Sequence, residues 1–301
     1  MNGNIGAQEM TSQLYFHVDV FAARPFTGNS LAVFTEATGF NADQMLAVTQ
    51  EMQHFETIFL ESAGAPNAFT ARVFDLFEEL DFAGHPLLGA AAVLHHTKNP
   101  EGEQRWAFTL PQKTVTVTSE RKGDAYRCVL DQGAPEFLGR LKEDDITKVC
   151  QSLNLEPADL DGSLPLEVVS TGLRYLIVPV RGALAKARIV SADFEALLNS
   201  FGAQFVYVLD TAATEGRHWN NDGIQEDVAT GSAAGTVGAY LARHGLKPMN
   251  EEFILRQGGF VGRPSEIRVR PAGTDSEIKN IQVGGDVALV AAGRLLGTPK
   301  K

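Results

Sequence analysis

The chain has 301 residues, and its 26 Lys plus Arg against 37 Asp plus Glu give a formal charge of −11, which opposes binding to a nucleic-acid backbone. Apolar residues make up 44% and charged residues 21%, excluding the composition of a disordered chain. At twice the roughly 150 residues of a typical domain there is room for two, and no stretch nears the roughly 18 apolar residues that span a bilayer.

Met1 to Gln13 lacks Lys, Arg and any apolar segment, so it reads as a disordered lead-in rather than a targeting signal, and the chain is expected in the cytoplasm. Leu14–Phe21, Leu31–Phe34, Thr57–Leu60 and Phe69–Phe74 are short, β-branched or aromatic, and bounded by turn residues, as strands are. Asn41 with Gln44 forms a capping-box pattern that opens a helix over about 42–53. His95 and His96 end an Ala/Leu-rich helical run as solvated residues that cannot form an i, i+4 metal pair. Thr114 to Thr118 alternates strictly, the mark of a strand with one buried face.

After Asp131-Gln132-Gly133-Ala134-Pro135 the texture repeats, placing a domain boundary near 131–140. Helices are expected near 143–153 and 192–200, and strands at 174–180, 204–209, 253–257, 266–270 and 279–284. Gly258-Gly259 and Gly284-Gly285 read as tight turns. Cys128 and Cys150 have neither Cys-x-x-Cys spacing nor a neighbouring His, so they are expected as buried, unpaired thiols, with no metal.

Gly84–Leu94 can be laid on Gly231–Leu241 at an offset of 147, and Thr27-Gly28 on Thr171-Gly172 at 144. The shared register suggests an ancient duplication. Each repeat is a Gly-containing turn opening a helix, whose unpaired N–H groups and partial positive charge can hold an anion. Two such ends facing one cleft would bind a small carboxylate or phosphate; as ordinary punctuation, Pro86, Thr230 and Ser232 would merely start helices. No dinucleotide, P-loop or Gly-x-Ser-x-Gly motif is present.

Taken together, Asp19-Val20-Phe21, Phe26 to Phe34, Glu56-Thr57-x-Phe59, Phe82 to Gly89, Ser170 to Leu173 and Glu226 to Gly235 closely resemble, in order and spacing, the PhzF-like phenazine-biosynthesis family. The resemblance spans about 14–297. It implies an α/β fold with mixed sheets of the diaminopimelate epimerase-like type: two pseudo-symmetric domains, 14–131 plus 286–299 and 132–285. Each wraps a sheet around a central helix, the last strand, about 286–291, returns to the first domain, and the site lies between them. It also implies a homodimer, a general acid/base at Glu56, and further polar site residues at His85 and Asp227. Gly84, Gly231 and Ser232 would offer N–H groups to a substrate carboxylate, and Asn29 and Thr171 would belong to the cleft wall.

Related epimerases carry a cysteine at the start of each central helix; this chain has none near Gly84 or Gly231. Two-thiol inversion is therefore disfavoured, and Glu56 alone could shuttle a proton along one face of a small amino or hydroxy carboxylate without metal or organic cofactor. Phe55 and Phe59 would supply the apolar surroundings that raise its pKa. A ligand-binding protein that retains the cleft, and a racemase pairing Glu56 with Asp227 or His85, are the alternatives. Phe55, Ser30 and Val228 depart from the residues common in the family at these points.

Overall fold

The computed structural model describes residues 13–274, 277–297 and 299; the expected lead-in lies outside them except for Gln13. The first half runs β1 (Gln13–Val20), β2 (Asn29–Phe34), α1 (Ala42–Met52), β3 (Glu56–Ser62), β4 (Ala68–Phe74), β5 (Glu79–Leu80), α2 (Gly84–Lys98), β6 (Gln104–Thr109), β7 (Thr114–Lys122) and β8 (Ala125–Asp131). The second runs β9 (Glu136–Arg140), α3 (Glu143–Ser152), β10 (Glu167–Ser170), β11 (Arg174–Val180), α4 (Phe194–Ser200), β12 (Phe205–Asp210), β13 (Glu215–Arg217), α5 (Gly231–Arg243), β14 (Phe253–Gln257), β15 (Ser265–Thr274) and β16 (Glu277–Leu295).

The described strands form one mixed sheet. Its order is β1-β2-β3-β4-β6-β7-β8-β16, and β16 also pairs β1, so this part closes on itself. From β16 the sheet continues through β15, β14, β13, β12, β11 and β10 to an edge at β9.

α2 is threaded through the closed part. Gly84 to His95 are buried without a break, because a helix apolar on every side must be surrounded. α5 lies in the same way against β10, β11, β15 and β16. One core joins both helices to the inner sheet face, while α1 covers Phe34, Phe59 and Phe74 outside the first half and α3 and α4 cover a third cluster outside the second. The Asn41–Gln44 capping box is formed in both directions, at 2.9 and 3.1 Å.

Three expectations need correction. His95 is buried, its Nδ1 2.8 Å from Ser119 Oγ, because α2 is enclosed to its last turn; His96 is exposed. Phe59 faces the outer cluster and not Glu56, since residues three apart on a strand point to opposite faces. Finally, Gly284-Gly285 is no turn: the segments expected at 279–284 and 286–291 are one strand, β16, with β8 paired along one side and β15 and then β1 along the other. A Cβ at Gly284 would run into the Cys128 carbonyl oxygen, and one at Gly285 would lie 2.7 Å from Phe21. The glycines are there for close approach.

Gly284→Ala should therefore lower stability by about 1–3 kcal/mol through overpacking, whereas Gly162→Ala, with nothing near its Cβ position, should stay within about 0.5 kcal/mol in urea titrations.

Candidate active site

The two buried helices meet at their N-termini. The Cβ position of Gly231 is 3.7 Å from the His85 backbone nitrogen, and that of Gly84 is 4.0 Å from the Gly231 carbonyl carbon. Neither helix is capped by a side chain. Ala83 has no cap to give, and the Thr230 hydroxyl is diverted to donate to Asp227 Oδ2 at 2.6 Å. Two positive helix ends are thus left open toward one place.

Asp227 sits among donors. Its Oδ1 also accepts from Asn29 Nδ2 at 3.0 Å and from the Ala229 N–H at 3.3 Å. Gln257 donates to the Asp227 carbonyl at 2.9 Å and accepts from the Thr230 N–H and the Tyr207 hydroxyl. Gln132 plays the same part for the other corner, donating to the Gly231 carbonyl at 2.9 Å and accepting from Thr171 Oγ1 at 2.8 Å. Gly235 makes room for that amide.

Glu56 opens β3 and keeps 13% of its side-chain surface open; His85, in the first turn of α2, is 6% exposed. His85 Nδ1 approaches Glu56 Oε2 to 3.2 Å without hydrogen-bond geometry, and neither Glu56 Oε2 nor His85 Nε2 has a partner among the described residues. Burial, with the nearby Asp227 and Asp75 carboxylates adding to it, holds Glu56 well above the usual carboxylate range. Burial also depresses His85 to about 4, against the pull of Asp227. Burial thus disfavours the charged form of both partners. Buried polar atoms left unmatched cost about 1–3 kcal/mol each, a cost that persists where a ligand completes the set.

A cavity of about 580 Å³ opens here, walled by Glu56, His85, Asp227, Gly84, Gly231 and Ser232, with Phe55, Tyr175, Phe205 and His218 opposite. Ser232 Oγ lies 2.8 Å from the Tyr175 hydroxyl. Asn29 and Thr171 do not line it: they stand one layer back, because their side chains hold Asp227 and Gln132. A second cavity of about 330 Å³ adjoins, sharing Phe55, Asp75, Phe205 and Asn220.

Gln132, Gln257, Tyr175 and His218 were not legible as site residues. No local pattern flags them: Gln132 stands between Asp131 and Gly133, and His218 between Arg217 and Trp219. Among the described residues no cluster of three or more His, Cys, Asp or Glu is arranged to hold a metal ion, and no helix is long and apolar enough to cross a membrane. Both cysteines are free and buried.

The family model for phenazine biosynthesis-like proteins matches residues 18–293, so the chain belongs to that family. It is 30% identical to trans-2,3-dihydro-3-hydroxyanthranilate isomerase of Pseudomonas chlororaphis over 94% of this chain and 99% of that one, and other full-length relatives are also named isomerases. Among solved structures, a "predicted epimerase" of Pseudomonas aeruginosa matches with a TM-score of 0.89 at 47% identity, covering 94% of this chain and 99% of its own. A hydroxyproline epimerase of Agrobacterium vitis shares the fold at a TM-score of 0.59 and 12% identity, over 94% and 92%.

Because the folded protein holds the Glu56 proton more tightly than the unfolded chain, stability contributed by this group is full at acid pH and is lost as pH rises toward the raised value. Glu56→Gln should therefore raise the melting temperature at pH 7, with the difference vanishing below about pH 4.5. His85 has the opposite sign: depressed to about 4, it favours the folded state above the ordinary histidine range and penalises it as pH falls. His85→Asn should consequently flatten the acid limb of the stability curve.

Proposed function

We propose that this member of the phenazine biosynthesis-like family is a cofactor-independent isomerase that shifts a proton on a small carboxylate bearing an amino or hydroxyl group. The observation that carries the reading is the buried Glu56–His85 pair, with Glu56 Oε2 and His85 Nε2 unpartnered among the described residues, beside two open helix N-termini. The proposed architecture is epimerase-like, with 14–131 plus 286–299 around α2, 132–285 around α5, and the site between them. The closed sheet around α2 and the sheet against α5 support that division.

In this reading the substrate carboxylate lies against the N–H groups of Gly84, Gly231 and Ser232. Glu56, once ionised, takes a proton from a carbon made acidic by the adjacent unsaturated acid. The C–H bond breaks and its electron pair spreads toward the carboxylate, where the helix ends stabilise the growing charge. Glu56 then returns the proton to another carbon on the same face. A raised pKa suits both halves of this task, since the ionised form is a stronger base and the protonated form remains a ready acid. Substrate and product are isomers, so no electrons are exchanged with a partner. His85 and Asp227 orient the amino or hydroxyl group.

The arrangement favours one-sided transfer over inversion. Glu56 and His85 stand 3.2 Å apart rather than across the cavity from each other, and no cysteine stands at either helix start.

The test is incubation in deuterated water with a panel of unsaturated and cyclic amino acids, including trans-2,3-dihydro-3-hydroxyanthranilate, followed by NMR. Deuterium should enter one ligand, and Glu56→Gln should slow this by about 10²–10⁴-fold, the usual worth of a general acid/base. Tight binding indifferent to Glu56→Gln, with no exchange, would instead identify a binding protein, and inversion at a stereocentre would identify a racemase.

A further inference from the structure

Among the titratable side chains lining the cavity that have no part in the scheme above, His218 is the one imidazole. His218 lies in the stretch between β13 and α5 and is 6% exposed. Its Nδ1 is 2.9 Å from the Val206 carbonyl oxygen. A carbonyl only accepts, so Nδ1 carries the proton, and the neutral ring must then present Nε2 as a bare lone pair. Burial keeps the ring neutral by holding its pKa below the ordinary histidine value.

Nε2 has no protein partner among the described residues, yet it is not among the polar atoms sealed from solvent. The residue lines the cavity, so its open atom faces that space. The ring cannot turn away. Tyr175 and Phe205 meet it edge-on at 5.5 and 5.6 Å, and the His218 carbonyl accepts from the Asp227 N–H at 2.9 Å, tying it to the acidic corner.

We propose that His218 determines substrate specificity by accepting, at Nε2, a hydrogen bond from an amino or hydroxyl group next to the substrate carboxylate. This rests on the reading of the cavity as a carboxylate-binding substrate site. The lining supports an amino group in particular: besides Glu56, three carboxyl side chains, Asp75, Asp81 and Asp227, line the space, against a single cation, Lys113. The two aromatic rings packed on the acceptor, Tyr175 and Phe205, suit a flat, unsaturated ring carrying both groups. A site built around a fixed acceptor discriminates strongly against analogues that lack the donor, because the acceptor is then left buried and unmatched.

Anthranilate and benzoate differ only by an amino group beside the carboxylate and serve as probes. Calorimetry on the wild-type protein should give anthranilate an advantage of roughly tenfold, the worth of one well-made hydrogen bond. His218→Asn keeps a donor at the Nδ1 position for Val206 but removes the cavity acceptor. It should bring the two probes to within about twofold while leaving benzoate binding unchanged. His218→Gln, which can return an acceptor to the Nε2 position, should recover part of the difference. Independently of any variant, imidazole nitrogen NMR should report Nδ1–H and a bare Nε2 whose signal moves with anthranilate and not with benzoate. An unchanged preference in His218→Asn, an Nε2–H tautomer, or failure of both probes to bind overturns the proposal. Deuterium exchange is a separate readout: an exchange-inactive protein that keeps the His218-dependent preference defeats the isomerase reading and leaves this one standing.

Discussion

Two buried helices aim the positive ends of their dipoles at each other across less than the width of a side chain. That arrangement is repulsive by itself and needs negative charge to hold it. Asp227 supplies part of it, and its position is fixed by Asn29, Thr230 and the Ala229 amide rather than by solvent. Two carboxamides, Gln132 and Gln257, hold the corners of α5's first turn. The remaining positive field is directed into the cavity, where a bound carboxylate would complete it.

The same closeness accounts for the state of Glu56 and His85. Both are taken out of water; Glu56 faces only further carboxylates, and for His85 burial outweighs the pull of Asp227. A protein selected for stability alone would place a hydrocarbon at position 56 or give the carboxylate a cation. Keeping an unmatched acid there is the kind of local concession that active sites make, with the surrounding core supplying the stability.

Much of this could be read from the chain because it depends on local rules. Gly84 and Gly231 announce helix starts, Asn41 with Gln44 a cap, and Thr114 to Thr118 a strand. The repeat at offset 147 corresponds to the two helices that meet. Glu56 had no local signature, and only the resemblance to a family singled it out. What stayed hidden was long-range: Asn29 reaches Asp227 across 198 residues, and Gln132 reaches Gly231 across 99. No window of sequence contains both partners. His218 was invisible for the same reason, since its tautomer is set by Val206 on a neighbouring strand. Gly284-Gly285 misled because a glycine pair has two uses, a bend or a place where other backbone must come near, and the choice lies in residues far away.

β16 supplies a partner strand to β8, β15 and β1, and it is the last element among the described residues. Gln13 pairs with Leu295, so the wall around α2 has a seam joining strands that lie far apart in the sequence. During synthesis the ribosome releases β1 through β8 long before their closing strand emerges. The nascent first half must then wait with two unzipped edges, β1 and β8, until β16 has been made and can pair with both.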